Sequence, residues 1–141
     1  MGSIEVTRLG PFDLFEGLGS QDLAFIAKNC REMTVASGTL LIQQGQVGKD
    51  VYLLEEGSVR VYHGDVASPR ILAVLQAPTI IGEMALLDPE RIRTSSVSAL
   101  SDLRLLSIPI KSFLVLLGVY PQLKKRLKQL IATRRREQTL P

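Results

Sequence analysis

The chain has 141 residues, 45% of them hydrophobic and 22% charged, with a formal net charge of +3; that length suits one domain burying roughly two thirds of its unfolded surface. A single Cys, Cys30, excludes an internal disulfide, and with a single His, His63, there is no His/Cys set for structural zinc, which takes about four ligands. The longest apolar runs, such as "FLVLLGVY" at 113–120, fall far short of the roughly 20 residues of a membrane span, and no basic segment followed by an apolar one opens the chain; a soluble, cytoplasmic protein is expected.

The first predicted element is a helical segment over 10–32. Ser20 is a candidate N-cap, Asp22 stands in the first turn where the helix dipole favours an anion, and Leu23, Ile26 and Ala27 follow at helical spacing. Over 33–108 the pattern changes to short runs rich in Val, Ile and Leu, separated by turn signals at Ser37-Gly38, Gly45, Gly48, Gly57, His63-Gly64-Asp65, Pro69, Pro78, Gly82 and Pro89. Such spacing predicts an antiparallel sandwich, barrel or roll. Within it, "GTLLIQQGQVGKDVYLLEEGSVRVY" at 38–62 reads as a stack of hairpins turned by Gly45, Gly48 and Gly57, with Val51 and Leu53 sharing one face and Val59 and Val61 another.

Over 109–141 the period returns to helical. "KSFLVLLG" ends at Gly118, a stop signal, and Pro121 suits the first turn of a further helix. There Leu123, Leu127, Leu130 and Ile131 form one apolar stripe, suited to pack on the chain's own body or on a twin in a homodimer. Charge is uneven along the chain: residues 1–120 hold 10 Lys and Arg against 13 Asp and Glu, whereas residues 121–141 hold 7 against 1. The class is mainly β with flanking α-helices.

One stretch points to a ligand. "GEMALLDPERIRTSS" at 82–96 places a glycine and a glutamate ahead of a short loop, and then an arginine beside hydroxyls. Together with 38–62 it resembles the cyclic nucleotide-binding domain family, the ligand module of catabolite activator-like regulators, cyclic nucleotide-dependent kinases and cyclic nucleotide-gated channels. The residues that carry the resemblance are Gly38, Ile42, Gln44-Gly45, Gly48-Lys49-Asp50-Val51-Tyr52-Leu53 and Gly57-Ser58-Val59-Arg60-Val61. Downstream, Gly82-Glu83-Met84-Ala85-Leu86 and Arg93-Thr94-Ser95-Ser96-Val97 match the phosphate-binding cassette.

The resemblance implies a jelly-roll-like β-roll, or double-stranded β-helix, in one domain over 1–141, with the cassette at 82–97 and cAMP or cGMP as ligand. Arg93, Thr94 and the backbone of Gly82, Met84 and Ala85 would take the cyclic phosphate, since a planar guanidinium and free helix-start N–H groups suit a fixed anion. Glu83 would accept from the ribose 2′-hydroxyl. Val61, Leu72 and Ala73 would surround the base, with Arg134 and Thr139, beside Gln138, reaching it from the last helix. Arg91 reads as a solvated loop charge, because only Arg93 is followed by the hydroxyl, small, hydroxyl, Val pattern. If no ligand were bound, Asp88 or Glu90 would be the natural partners of Arg93.

Three positions depart from the family pattern: Pro78 and Thr79 ahead of the cassette, and Ser95 where Ala is common. His63 reads as a hairpin-turn residue, Cys30 as a packing thiol, and Tyr52 and Tyr62 as sheet packing. The expected function is a sensor that passes ligand occupancy through its C-terminal helices to a protein partner or output domain, without catalytic residues, metal or cofactor. The alternatives are a ligand-free interaction scaffold, or a nucleic-acid or membrane-surface binder acting through "KKRLKQLIATRRR". No helix-turn-helix follows that segment in the sequence, so base-specific DNA reading is not expected.

Overall fold

A computed structural model describes residues 4–65 and 67–139, the last by its backbone alone. Two 3₁₀ turns, Val6–Leu9 and Asp13–Phe15, lead into helix α1 (Ser20–Lys28). Eight strands follow: β1 (Arg31–Val35), β2 (Leu40–Ile42), β3 (Asp50–Glu56), β4 (Ser58–His63), β5 (Arg70–Gln76), β6 (Thr79–Ile81), β7 (Ser96–Ala99) and β8 (Leu103–Pro109). A third 3₁₀ turn, Glu83–Leu86, lies between β6 and β7, and helices α2 (Ile110–Val119) and α3 (Pro121–Thr139) complete the chain.

The strands form two antiparallel four-stranded sheets, in the orders β1-β8-β3-β6 and β2-β7-β4-β5, closed face to face as a jelly-roll-like β-roll. Between them lie Ile42, Leu54, Val59, Val61, Ile81, Val97, Leu103 and Leu105. The first sheet is covered on its other face as well: Val51, Leu53, Leu106 and Ile108 pack there against Phe12, Phe15, Ile26, Phe113, Leu116, Leu123, Leu127 and Ile131. Burial on both faces explains the unbroken apolar runs in β3 and β8, and the two-residue alternation places Leu105 inside the roll and Leu106 under the helices.

Element ends differ from expectation in four places. The first strand begins at Arg31 and the helical segment already at Val6. Gly19, not Ser20, is the N-cap of α1, its N–H donating to Asp22 Oδ2 at 3.3 Å. Gly118 lies inside α2, which runs on to Val119. That helix stops because Pro121 forces its predecessor out of helical geometry: Tyr120 has φ −117° and ψ 90°. The 38–62 stretch is also not a simple hairpin stack. β2 pairs with β7 in one sheet while β3 pairs with β6 and β8 in the other, so the Gln43–Lys49 loop crosses between sheets.

The β3–β4 turn is a true glycine turn. Gly57 has φ +101°, and a Cβ there would lie 2.5 Å from the Asp102 carbonyl oxygen. Left-handed backbone costs about 1–2 kcal/mol for a residue with a side chain, and forced overpacking about 1–3 kcal/mol more. Gly57→Ala is therefore expected to lower unfolding free energy by about 2–5 kcal/mol in urea melts; a loss below about 1 kcal/mol would show that the turn relaxes.

The apolar stripe of α3 is settled on the chain's own roll, with Leu123, Leu127 and Ile131 buried. Lys124, Lys125, Lys128 and Arg135 on its other faces are exposed. Among the described residues no helix is long and apolar enough to cross a membrane. Cys30 packs against the helical core, and burial pushes its thiol up to about 12.

Candidate functional site

The 82–97 stretch is shaped from its glycine outward. Gly82 has φ +83° and starts the Glu83–Leu86 turn, whose first N–H groups lack intrahelical acceptors. The loop after it is organised by Asp88, whose carboxylate accepts from the N–H groups of Glu90 and Ile92. Arg91 takes a left-handed conformation, φ +60°, with its side chain folded onto the Asp88 carbonyl. Asp88 thus serves the loop backbone and leaves Arg93 without a carboxylate from that side.

Arg93 is clamped from the neighbouring Gln43–Lys49 loop. Its N–H donates to the Gln46 carbonyl at 2.8 Å, its carbonyl accepts from Gly45 N–H at 2.9 Å, and Gly48 N–H donates to the Arg91 carbonyl at 2.7 Å. Gly48 does more than turn the chain. A Cβ there would stand 2.6 Å from Arg93 Cζ, and one on Gly82 would stand 2.7 Å from Nη1, so two glycines leave the room the guanidinium fills. The glycine-rich motif at 38–48 and the cassette are two halves of one arginine holder.

Arg93 is 7% exposed. Nη1 donates to the Gly82 carbonyl at 3.2 Å and Nη2 to the Asp50 carbonyl at 2.6 Å, and no carboxylate among the described residues forms an ion pair with it. Burial draws its pKa down from the ordinary guanidinium value, against the pull of Tyr52, Asp50 and Glu83. Burial also raises the Tyr52 hydroxyl above its usual range, with Asp50 adding to the effect. A desolvated cation held only by carbonyl dipoles is electrostatically incomplete.

The other buried arginine is complete. Arg134 of α3, expected near a base, instead donates from Nη1 to Glu83 Oε1 at 2.6 Å and to the Ile80 carbonyl at 2.7 Å, and from Nη2 to Thr79 Oγ1 at 2.5 Å. Glu83 and Arg134 are each 5% exposed. Thr79, one of the departures from the family pattern, is thereby part of the arginine's seat. Pro78, a second departure, follows a cis peptide bond in the β5–β6 turn. With Glu83 and Arg134 cancelling, the buried side chains here carry one uncompensated positive charge, that of Arg93.

One cavity of about 40 Å³ is lined by Val61, Gly82, Glu83, Met84, Ala85, Arg93 and Thr94, all of them residues singled out from the sequence. Gln138, expected near the base together with Thr139, lines it too, as do Ile42, Leu75 and Ser95, to which no contact with the ligand was assigned. Its volume is well below the roughly 300–1,000 Å³ of a small-molecule site, because α3 lies over its mouth. Leu72 lines a neighbouring cavity; Ala73 is half-buried against the roll interior; the Thr139 side chain lies outside the described residues. His63 also has a role its turn position hid. Its Nε2 lies 2.9 Å from the Thr94 carbonyl and 3.3 Å from Ser95 Oγ, and since a carbonyl only accepts, Nε2 carries the proton. Tyr62, buried as expected, shares a hydrogen bond with Ser98 Oγ at 2.9 Å.

Known proteins resemble this chain in sequence and fold. The chain is 31% identical over 128 residues to the Cyclic AMP receptor protein of Thermus thermophilus, covering 90% of this chain and 59% of that protein. It is 31% identical over 122 residues to a cyclic nucleotide-gated potassium channel of Rhizobium etli, covering 86% and 33%. The crystal structure of Thermus thermophilus catabolite activator protein superposes with a TM-score of 0.75 at 31% identity, over 88% of this chain and 58% of that one. The chain thus spans a third to three fifths of these relatives. The family model described as "Cyclic nucleotide-binding domain" matches residues 32–120, well over half of the sequence, and the chain belongs to that family.

Proposed function

We propose that the chain is a regulatory module that binds a cyclic nucleotide, cAMP or cGMP, with the cyclic phosphate on Arg93. The observation that carries this is the buried, unpaired guanidinium facing the cassette cavity: its single uncompensated charge matches the single negative charge of a cyclic phosphodiester. The N–H groups at the start of the Glu83–Leu86 turn and the Thr94 hydroxyl supply further donors, and Glu83 the acceptor for the ribose. The base enters against Val61 and Leu72.

Entry requires α3 to yield, because the cavity is too small for a nucleotide while Arg134 is seated on Glu83. A ribose hydroxyl on Glu83 competes with that seat, so ligand favours the state in which the end of α3 has moved, and the moved helix is what a protein partner or output domain senses. The module acts by binding and performs no chemistry on its ligand. Titration calorimetry of the chain with cAMP and with cGMP tests the proposal; heat of binding at micromolar to low millimolar nucleotide is expected, and silence with both would end it.

One observation favours a second reading, a ligand-free interaction scaffold: the closed cavity is stabilised by the Glu83–Arg134 pair without any ligand. The same titration separates the two.

A further inference from the structure

The helices that cover the first sheet leave an apolar strip on their outer side. Ile26 and Ala27 of α1, Phe113 and Leu116 of α2, and Leu123 and Leu127 of α3 share one core above that sheet, so the opposite faces of all three helices look away from the roll. On α2 the outward line is Lys111, Val115, Gly118 and Val119, at i, i+4, i+7 and i+8, all exposed. Val115 and Val119 are each 57% exposed, and Phe25 of α1 is 44% exposed. A Cβ on Gly118 would meet no heavy atom within 4 Å, so among the described residues nothing covers this line. α2 is thus apolar on its outer side as well as its core side, where a helix facing water turns polar residues outward.

Lysines flank the strip. Lys28 of α1, Lys111 of α2, and Lys124, Lys125 and Lys128 of α3 are exposed, and none of them forms an ion pair among the described residues. Between Asp102 and Glu137 the sequence contains no acidic residue, and the one acid of α1, Asp22, is held by the Tyr120 hydroxyl at 2.9 Å and by the Gly19 N–H. The Asp22–Tyr120 bond ties α1 to the end of α2, which sets Phe25, one turn from Asp22, at the same junction as Val119. We propose that this outward side is a docking surface for an anionic lipid bilayer, with the lysines on the head groups and Phe25, Val115 and Val119 in the interface beneath them.

A second copy presenting the same side would set lysines against lysines. Protein partners favour arginine and avoid lysine at their interfaces, whereas the five cations flanking the strip are all lysine. Nucleic acid would match the lysines but has no use for the exposed valines and phenylalanine between them. The boundary between head groups and acyl chains meets both needs, since helix faces that mix basic and apolar side chains lie in that plane. Each lysine near an anionic surface is worth about fivefold in affinity. Three half-open apolar side chains are too few for lasting insertion, so the contact is reversible and salt-sensitive. It is independent of the Arg93 reading and would stand if no nucleotide bound.

The test is co-sedimentation of the full chain with phosphatidylcholine vesicles, with and without about 30% phosphatidylserine, at about 0.05 M and about 0.5 M salt. Wild type is expected to bind the phosphatidylserine vesicles at least about tenfold more tightly than phosphatidylcholine alone, and to lose that preference at the higher salt. Lys124→Gln/Lys128→Gln is expected to weaken binding roughly 25-fold, two lysines at about fivefold each. Arg60→Gln/Arg70→Gln, the same charge loss on the second sheet, is expected to stay within about twofold of wild type. Val115→Ser/Val119→Ser is expected to cost about three- to tenfold. None of the six replaced residues is buried, so thermal melts are expected to match wild type. No preference for phosphatidylserine, or equal losses from the two charge variants, would overturn the proposal. So would vesicle binding untouched by the valine variant together with equally tight binding of a DNA duplex of about 20 base pairs, the mark of a general polyanion patch. A valine-dependent dimer in sedimentation velocity would assign the strip to a second copy instead.

Discussion

Arg93→Ala is expected to lower cyclic nucleotide affinity by about 2–5 kcal/mol, roughly 30- to 5,000-fold, the usual cost of truncating one partner of a buried charged contact. The unliganded protein should hardly register the change. Two hydrogen bonds to the Gly82 and Asp50 carbonyls are lost, but a desolvated cation without a carboxylate is removed as well, and the two effects oppose each other to within about 1–2 kcal/mol. A large affinity loss with a small stability change is the signature of a residue placed for a ligand. Arg93→Lys tests the fork: it keeps the charge but loses the planar donors, so intermediate affinity is expected. Gly48→Ala tests position, since its Cβ would fall 2.6 Å from Arg93 Cζ and must displace the guanidinium without altering charge; weaker binding with normal folding is the expected result. Affinity unchanged by Arg93→Ala would remove the phosphate assignment.

The second large effect concerns the pair at the other end of the cassette. Arg134→Met is expected to destabilise the fold by about 3–5 kcal/mol, because it leaves the Glu83 carboxylate buried without its partner. The Glu83→Met/Arg134→Met double variant should recover most of that loss, since replacing a buried pair by apolar side chains of similar volume is often neutral or better. Urea melts of the two single variants and the double variant give the coupling energy directly. A single-variant loss below about 1 kcal/mol would mean that water screens the pair. Hydrogen exchange supplies a local reading: amides in the last two turns of α3 should lose protection in Arg134→Met before those near Leu123 do.

Much of this was legible in the sequence, and what was missed follows a physical rule. The β-roll and the α3 stripe were legible because burial imprints a period: Val59 and Val61 alternate, while Leu123, Leu127 and Ile131 recur at helical spacing. The cassette was legible because Gly82, Glu83 and Arg93 combine rare conformational and charge requirements at fixed separation. Gly48 reads as a turn because sequence shows that a residue is small but not that Arg93 presses on it. His63 was hidden for a related reason: its partner, the Thr94 carbonyl, lies 31 residues away and backbone groups leave no mark in a sequence. Arg134 reads from the family resemblance as a base contact; its partner Glu83 is 51 positions earlier, and helical spacing carries no information across such a gap. Gly118 resembles a helix stop, yet α2 runs on to Val119 because Pro121 is the stronger constraint.

Helix α3 is fastened near both ends of its buried face. Arg126 Nη1 donates to the Leu14 and Glu16 carbonyls of the N-terminal segment, and eight residues on, about 12 Å along the axis, Arg134 holds Glu83 and β6. In mechanical terms this is a lever with a fulcrum and a catch. With the Arg126 end as fulcrum, the Gln138 tip stands about 18 Å away, so any swing at the catch is magnified about one and a half times at the tip. Any displacement of Arg134 about that fulcrum would thus be carried, enlarged, to the end of the helix beside Arg135.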